Sequence, residues 1–177
     1  KKIPVEKNKE YIVEIIDNGF EGEGIAKIDN FTIFINGAIK GEKVKIIIVK
    51  VLSSHAFGKI IEIINKSPQR TESDCTTYKR CGGCNLRHIK YEETLKMKQN
   101  AVQSLVNKTL KNKIEVQSTI GMENPIHYRN KAQYPIGINK NEEPVIGVFA
   151  NRTHEVIPME KCLIQNPISE KIAKTVL

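Results

Sequence analysis

Gly24-Ile25-Ala26-Lys27-Ile28-Asp29-Asn30-Phe31-Thr32-Ile33-Phe34-Ile35 decides the fold class, because two short runs rich in Ile and Phe meet at an Asp-Asn pair. Branched and aromatic side chains favour extended backbone, and Asp and Asn favour tight turns, so the stretch predicts strands over 24–28 and 31–35. The pattern repeats on both sides. Residues 11–16, 42–51 and 57–64 are also rich in Ile, Val and Phe, with turn signals at Asp17-Asn18-Gly19, Asn36-Gly37 and Lys40-Gly41. Val44, Ile46 and Ile48 alternate with Lys43, Lys45 and Ile47, so one face is apolar and the other partly wet. Five such strands predict a small five-stranded barrel of the oligonucleotide-binding type over residues 1–66. Such barrels also serve as adaptors, so the fold by itself assigns no ligand.

Ser67-Pro68-Gln69-Arg70-Thr71-Glu72-Ser73-Asp74 is polar and carries a proline, which breaks any strand and makes a natural linker. Over 91–110, Leu95, Gln99, Val102, Leu105, Val106 and Leu110 recur at helical spacing, with Glu92 and Glu93 near the start and Lys108 and Lys111 near the end. A cysteine loop and this helix make the second expected piece, 67–113. Strand patterns return over 132–138, 145–150 and 154–157, and 168–177 reads as helix, so 114–177 is expected to begin a second, β-rich domain. The fold class expected is mainly β with α.

The net charge of +8 is unevenly spread. Residues 70–113 hold ten Lys and Arg against four Asp and Glu, while 1–69 and 114–177 are nearly balanced. The positive segment also carries three of the four cysteines, which points to a polyanion near them. Lys96, Lys98, Lys108, Lys111 and Lys113 read equally well as a solvated helix face. No segment approaches the ~20 apolar residues that span a bilayer, and the first residues lack the apolar run of a secretory signal, so a cytoplasmic location is expected. Nothing predicts an oligomer.

Cys75, Cys81 and Cys84 lie in one ten-residue loop, and Cys162 follows far downstream. In a reducing compartment, four cysteines in a chain of this size read as metal ligands or reactive thiols rather than disulfides. Cys81 and Cys84, two residues apart, can converge on one centre, and Gly82-Gly83 removes side-chain hindrance where the backbone folds around it. Zinc usually takes two such pairs, and here there is one. Three clustered cysteines and a remote one instead favour a cubane iron–sulfur cluster, with zinc and unligated redox thiols as the alternatives. His88 is a possible substitute ligand, but reads more simply as a polar residue at the loop-to-helix junction. Gly19-Phe20-Glu21-Gly22-Glu23-Gly24 superficially suggests a phosphate loop. It leads into a strand rather than a helix and is ringed by Asp17, Glu21 and Glu23, so a hairpin or bulged turn is expected.

The chain resembles the RNA (uracil-5-)-methyltransferases that carry an N-terminal TRAM domain and a 4Fe–4S cluster, the RumA-like ribosomal RNA enzymes among them. The resemblance rests on Gly22-Glu23-Gly24-Ile25-Ala26-Lys27-Ile28 with Phe34-Ile35-Asn36-Gly37-Ala38-Ile39-Lys40-Gly41-Glu42, on Cys81-Gly82-Gly83-Cys84-Asn85-Leu86-Arg87-His88, and on Tyr128-Arg129-Asn130-Lys131. It implies that Cys75, Cys81, Cys84 and Cys162 all ligate a 4Fe–4S cluster, and that the barrel is a TRAM domain. It also implies that methyl transfer belongs to an S-adenosylmethionine-binding domain that this segment lacks. Uracil C5 is a poor nucleophile, so such enzymes add a cysteine thiolate at C6 before methylation. With four cysteines committed to the cluster, no catalytic and no cofactor-binding residue is expected here.

Arg70, Lys79, Arg80, Arg87, Lys90, Arg129, Lys131 and Arg152 are the expected contacts to RNA, ribosomal by resemblance, through salt-sensitive phosphate binding. Each also reads as an ordinary surface residue, although Arg129 and Lys131 lie in a family-like stretch. Phe20, Phe57 and Phe149 are possible base stackers, but in small β domains such rings are more often core. A stand-alone, non-enzymatic RNA-binding module with a four-cysteine metal site is the alternative. A thiol redox protein built on Cys81-Gly82-Gly83-Cys84 would need a βαβ context that is not found.

Overall fold

Strict alternation of buried and wetter residues builds the barrel. On β5 (Lys43–Val51), Val44, Ile46 and Ile48 are fully buried, while Lys43, Lys45 and Ile47 are only partly covered. Ile33 and Ile35 on β4 (Phe31–Ile35) and Ala26 on β3 (Gly24–Ile28) do the same from the neighbouring strands. Each large aliphatic side chain taken out of water contributes about 1.5–3 kcal/mol, which offsets much of the entropy lost by its strand. The structure is a computed structural model and describes residues 3–110, 114–139 and 141–176. Lys111, Lys113 and Leu177, named above in two helical readings, lie outside the described residues.

With β1 (Glu10–Glu14), β2 (Asp17–Asn18) and β6 (His55–Asn65), the sheet has six strands in the order β1-β5-β6-β4-β3-β2. Neighbours are antiparallel except β4 and β6, which run parallel. The order begins and ends on consecutive pieces of one stretch, residues 10–18, and the Ile16 amide donates to the Ile25 carbonyl at 2.8 Å, so the sheet closes on itself. The sixth strand is the two-residue β2. Residues 19–23 form the hairpin expected there, with Gly19 N–H on the Glu23 carbonyl at 2.7 Å and Gly22 at φ 90°, a conformation that glycine tolerates without steric cost.

The chain divides into two compact units, Lys1–Thr71 with His88–Ile120, and Glu72–Arg87 with Gly121–Leu177. The cysteine loop and the long helix, neighbours in sequence, therefore go to different units. The first unit carries the barrel and α1 (Tyr91–Thr109), which has Glu92 and Glu93 in its first turn and Lys108 in its last, as the helix dipole favours. Thr94 is its one buried described residue, and Val102 and Leu105 are about half exposed despite their helical spacing. The residues after α1 run back along it, with Gln99 and Gln103 side chains donating to the Val116 and Ile114 carbonyls.

Glu42 heads the turn into β5 and is fully buried. Its carboxylate accepts from the Ile39 and Ser67 amides at 2.9 and 3.2 Å and takes both Nε and Nη2 of Arg70 at 2.6 and 2.7 Å. Burial alone would push this carboxyl up; the Arg70 fork and the two amides outweigh it and hold it below its ordinary value. Arg70 Nη2 also donates to the Gly37 carbonyl at 2.6 Å, so the chain leaving the barrel is bolted back onto it.

In the second unit, β7 (Ile136–Ile138), β8 (Pro144–Phe149) and β9 (Val156–Pro158) form an antiparallel sheet, followed by α2 (Pro167–Val176). The strand expected over 132–138 shrinks to its last three residues. Pro135 has no amide to donate, so pairing starts beyond it. Among the described residues no helix is long and apolar enough to cross a membrane.

Candidate metal centre

Two long-range attachments within the second unit gather the four cysteines. The loop containing Cys75, Cys81 and Cys84 docks on the end of β8: Cys81 bridges to Ala150, Gly82 N–H reaches the Phe149 carbonyl at 3.2 Å, and Asn151 N–H reaches the Arg80 carbonyl at 2.8 Å. A side chain at Gly82 would press on the Asn151 backbone, its Cβ 3.3 Å from Cα, which explains a glycine at this close approach. Separately, Arg129 pairs in parallel with Gln165, and the His127 and Arg129 amides donate to the Leu163 and Ile164 carbonyls. That ties the Tyr128-Arg129 stretch to the segment that carries Cys162.

All four cysteines line one cavity of about 510 Å³, together with Arg87, Arg129, Lys131 and Arg152. All four are half-buried free thiols. Burial pushes the Cys84 thiol up, and the neighbouring Cys81 and Cys162 add to this while Arg87 and Arg129 oppose it. Crowding of thiols raises the cost of ionising any one of them, which a cation at their centre would reverse. Two of the sulfurs also meet hydrogen-bonding groups: Gly83 N–H points at Cys81 Sγ from 3.3 Å, and Thr77 Oγ1 lies 3.4 Å from Cys75 Sγ. These features suit a centre bound by thiolates. Among the described residues no three His, Cys, Asp or Glu side chains form a group tight enough to hold a single metal ion.

The expected RNA contacts fall into three sets. Arg87, Arg129, Lys131 and Arg152 line the cavity. Arg87 is also ion-paired with Asp74 at 2.5 Å, and Arg129 donates to the Gly83 carbonyl at 3.3 Å. Lys79 and Arg80 are exposed on the cysteine loop, Arg80 bridging to Glu155 at 2.6 Å. Lys90 and Arg70 lie in the first unit. Lys90 is exposed at the start of α1, whereas the Arg70 guanidinium, 16% exposed, is engaged by Glu42 and the Gly37 carbonyl through Nε and Nη2. Phe20 is 78% exposed and Phe149 44%, so neither is core; Phe149 meets the His154 ring edge-on. His88 does sit at the loop-to-helix junction, where it is buried and does not line the cavity.

Three contributors carried no signal in the sequence. Glu170 is buried and accepts the Cys162 amide at 2.5 Å, fixing the turn that presents the remote cysteine. Gln165 lines the cavity at 3% exposure with its Oε1 lacking a hydrogen-bond partner. Tyr134 has a buried hydroxyl, which burial and then the charges of Glu170 and Cys162 push toward the neutral form.

Residues 4–61 match the family model described as the TRAM domain. Over 175 residues the chain is 48% identical to an RNA methyltransferase of Clostridium acetobutylicum, covering 97% of this chain and 38% of that protein. It is 45% identical over 174 residues to one of Clostridium tetani and 38% identical over 174 residues to one of Halalkalibacterium halodurans, covering 98% of this chain and 38% of each relative. The chain thus spans well under half the length of the curated relatives it matches. In three dimensions it resembles the Pyrococcus abyssi tRNA (uracil-54, C5)-methyltransferase in complex with S-adenosyl-L-homocysteine, with a TM-score of 0.61 at 16% identity over 93% of this chain and 35% of that one. At that identity the likeness speaks for the fold alone.

Proposed function

We propose that this chain, which carries a TRAM domain and aligns along nearly its whole length with proteins named RNA methyltransferases, is the RNA-binding and iron–sulfur-binding region of an S-adenosylmethionine-dependent RNA uracil-C5 methyltransferase acting on ribosomal RNA. The observation that carries the reading is the meeting of Cys75, Cys81, Cys84 and Cys162 on one cavity rimmed by Arg87, Arg129, Lys131 and Arg152. Thiolates on a cluster are net anionic, and the two arginines nearest Cys84 are placed to offset that charge. A single zinc ion with ~2.3 Å Zn–S bonds would need its sulfurs within about 4 Å of one another. One closely spaced cysteine pair, where zinc sites usually have two, with Cys75 and Cys162 reached from elsewhere, favours the broader core of a 4Fe–4S cluster.

Methylation from S-adenosylmethionine transfers no electrons, so the cluster's role in this reading is to fasten the cysteine loop to the Cys162 segment and to set the basic rim. The methyl donor binds in a part of the protein outside these residues, and the segment alone is inactive. Lys79, Arg80, Lys90 and the rim residues supply phosphate contacts, and the protein works in the cytoplasm. Anaerobic purification followed by iron and sulfide analysis tests this reading. About four irons per chain, falling sharply in Cys162→Ser together with a lower melting temperature, is the expected result; stoichiometric zinc, or unchanged iron in that variant, defeats it.

A further inference from the structure

The barrel's outer face carries three aromatic rings that the cavity leaves unused. Phe34, His55 and Phe57 touch one another, with ring centroids 5.3 Å apart for Phe34 and His55, 5.9 Å for Phe34 and Phe57, and 5.2 Å for His55 and Phe57. None belongs to the core. Ile33 and Ile35 on either side of Phe34, and Ala56 beside Phe57, are fully buried, so by strand alternation the three rings face outward, partly exposed.

Strand register explains the cluster. The parallel pair β4 and β6 sets Thr32 opposite His55 and Phe34 opposite Phe57. Pairing with β3 adds Ile25 beside Phe34 and Lys27 beside Thr32, and pairing with β5 adds Lys50 beside Phe57. One row therefore reads Ile25, Phe34, Phe57, Lys50, and the next Lys27, Thr32, His55. Lys27, Lys50 and Lys59 are exposed, whereas Lys45, further along β5, is taken by Glu10 at 2.6 Å.

We propose that Phe34, His55 and Phe57 form a stacking platform for unpaired bases of single-stranded RNA, with Lys27, Lys50 and Lys59 holding the adjoining phosphates. Every base has a π-face, so such a platform is tolerant of sequence, and the flanking cations select a polyanion over an apolar peptide. This rests on the RNA-binding reading above and narrows it to an unpaired segment on the barrel.

Fluorescence anisotropy of the whole chain with a labelled short oligouridine tests the platform. Phe34→Leu with Phe57→Leu keeps apolar volume but removes the ring faces, and is expected to weaken binding at least about tenfold while leaving the salt slope unchanged. Replacing Lys27, Lys50 and Lys59 by Gln is expected to flatten that slope by about 2. In the unsubstituted chain, the Phe34, His55 and Phe57 ring protons should shift upfield on titration with oligouridine, a readout that holds even if the double variant is poorly folded. Unmoved rings at saturation, or undiminished affinity in a folded double variant, overturn the platform and leave RNA binding elsewhere intact. Failure of the chain to bind either oligouridine or a structured RNA hairpin overturns both.

Discussion

The barrel buries eleven Val, Ile and Ala side chains in one cluster, whereas the described residues of Glu72–Arg87 and Gly121–Leu177 bury only Ala150, Ile157, Met159 and Ile164 among hydrophobics. The barrel excludes water by itself. The cysteine-bearing unit instead leaves Ile136 and Ile138 more than half exposed on β7 and concentrates its side chains around a cavity. Regions with so little apolar core ordinarily need a cross-link, a metal or a partner surface. The contrast teaches that one unit is held by burial, while the other, in the proposed reading, depends on a centre bound by its four thiols.

Four perturbations should separate the two regimes, and a fifth supplies the baseline. On the proposed cluster reading the largest effect is expected from chelation, or from Cys81→Ser with Cys84→Ser, either of which should unfold the cysteine-bearing unit while the barrel keeps its amide protection in hydrogen exchange. Equal loss of protection in both would erase the distinction. Next, Glu42→Gln leaves Arg70 partly buried without its counter-charge and should cost the barrel about 3–5 kcal/mol by denaturant unfolding, with metal content unchanged. Ile46→Ala opens a hole in the aliphatic cluster and should cost about 3 kcal/mol on the same measure.

Acid is the fourth lever. Burial, then the Arg70 charge, pushes His88 down to about 4 from 6.5, with Glu42 opposing. Its folded value lies below its unfolded one, so its contribution is complete above pH 6.5 and is lost as pH falls toward 4. Barrel stability should drop by about 3 kcal/mol across that window, and His88→Gln should flatten the slope. Glu42 follows the same sign, its contribution lost only as pH falls through its lowered carboxylate value. Arg80→Ala, which removes an exposed pair with Glu155, should cost under about 1 kcal/mol in either regime.

The barrel strands were legible in the sequence because period-two alternation survives translation into structure residue for residue, as β3 and β4 show. β2 was not, since Asp17 and Asn18 are turn formers that become a strand only when closure of the sheet offers them Ile25 and Gly24. Helical spacing located α1 but not its surroundings, and Val102 and Leu105 remain wet. The cysteine loop could be read locally. What brings Cys162 to the same cavity is the pairing of Arg129 with Gln165, 36 positions apart, for which no short-range pattern exists. Glu42 was equally silent, since nothing in its spacing announces a partner 28 residues downstream.

That partnership bears on where the polypeptide can be divided. A cut after residue 66, in the polar stretch that looks most dispensable, deletes Arg70 together with the Ser67 amide and leaves the Glu42 carboxylate with the Ile39 amide but without its counter-charge. The excised barrel would be expected to precipitate or to fold only in acid, while one extended through Thr71 keeps both donors. Insertions between β6 and Arg70 carry the same hazard, so the span that resembles slack is in fact measured to length.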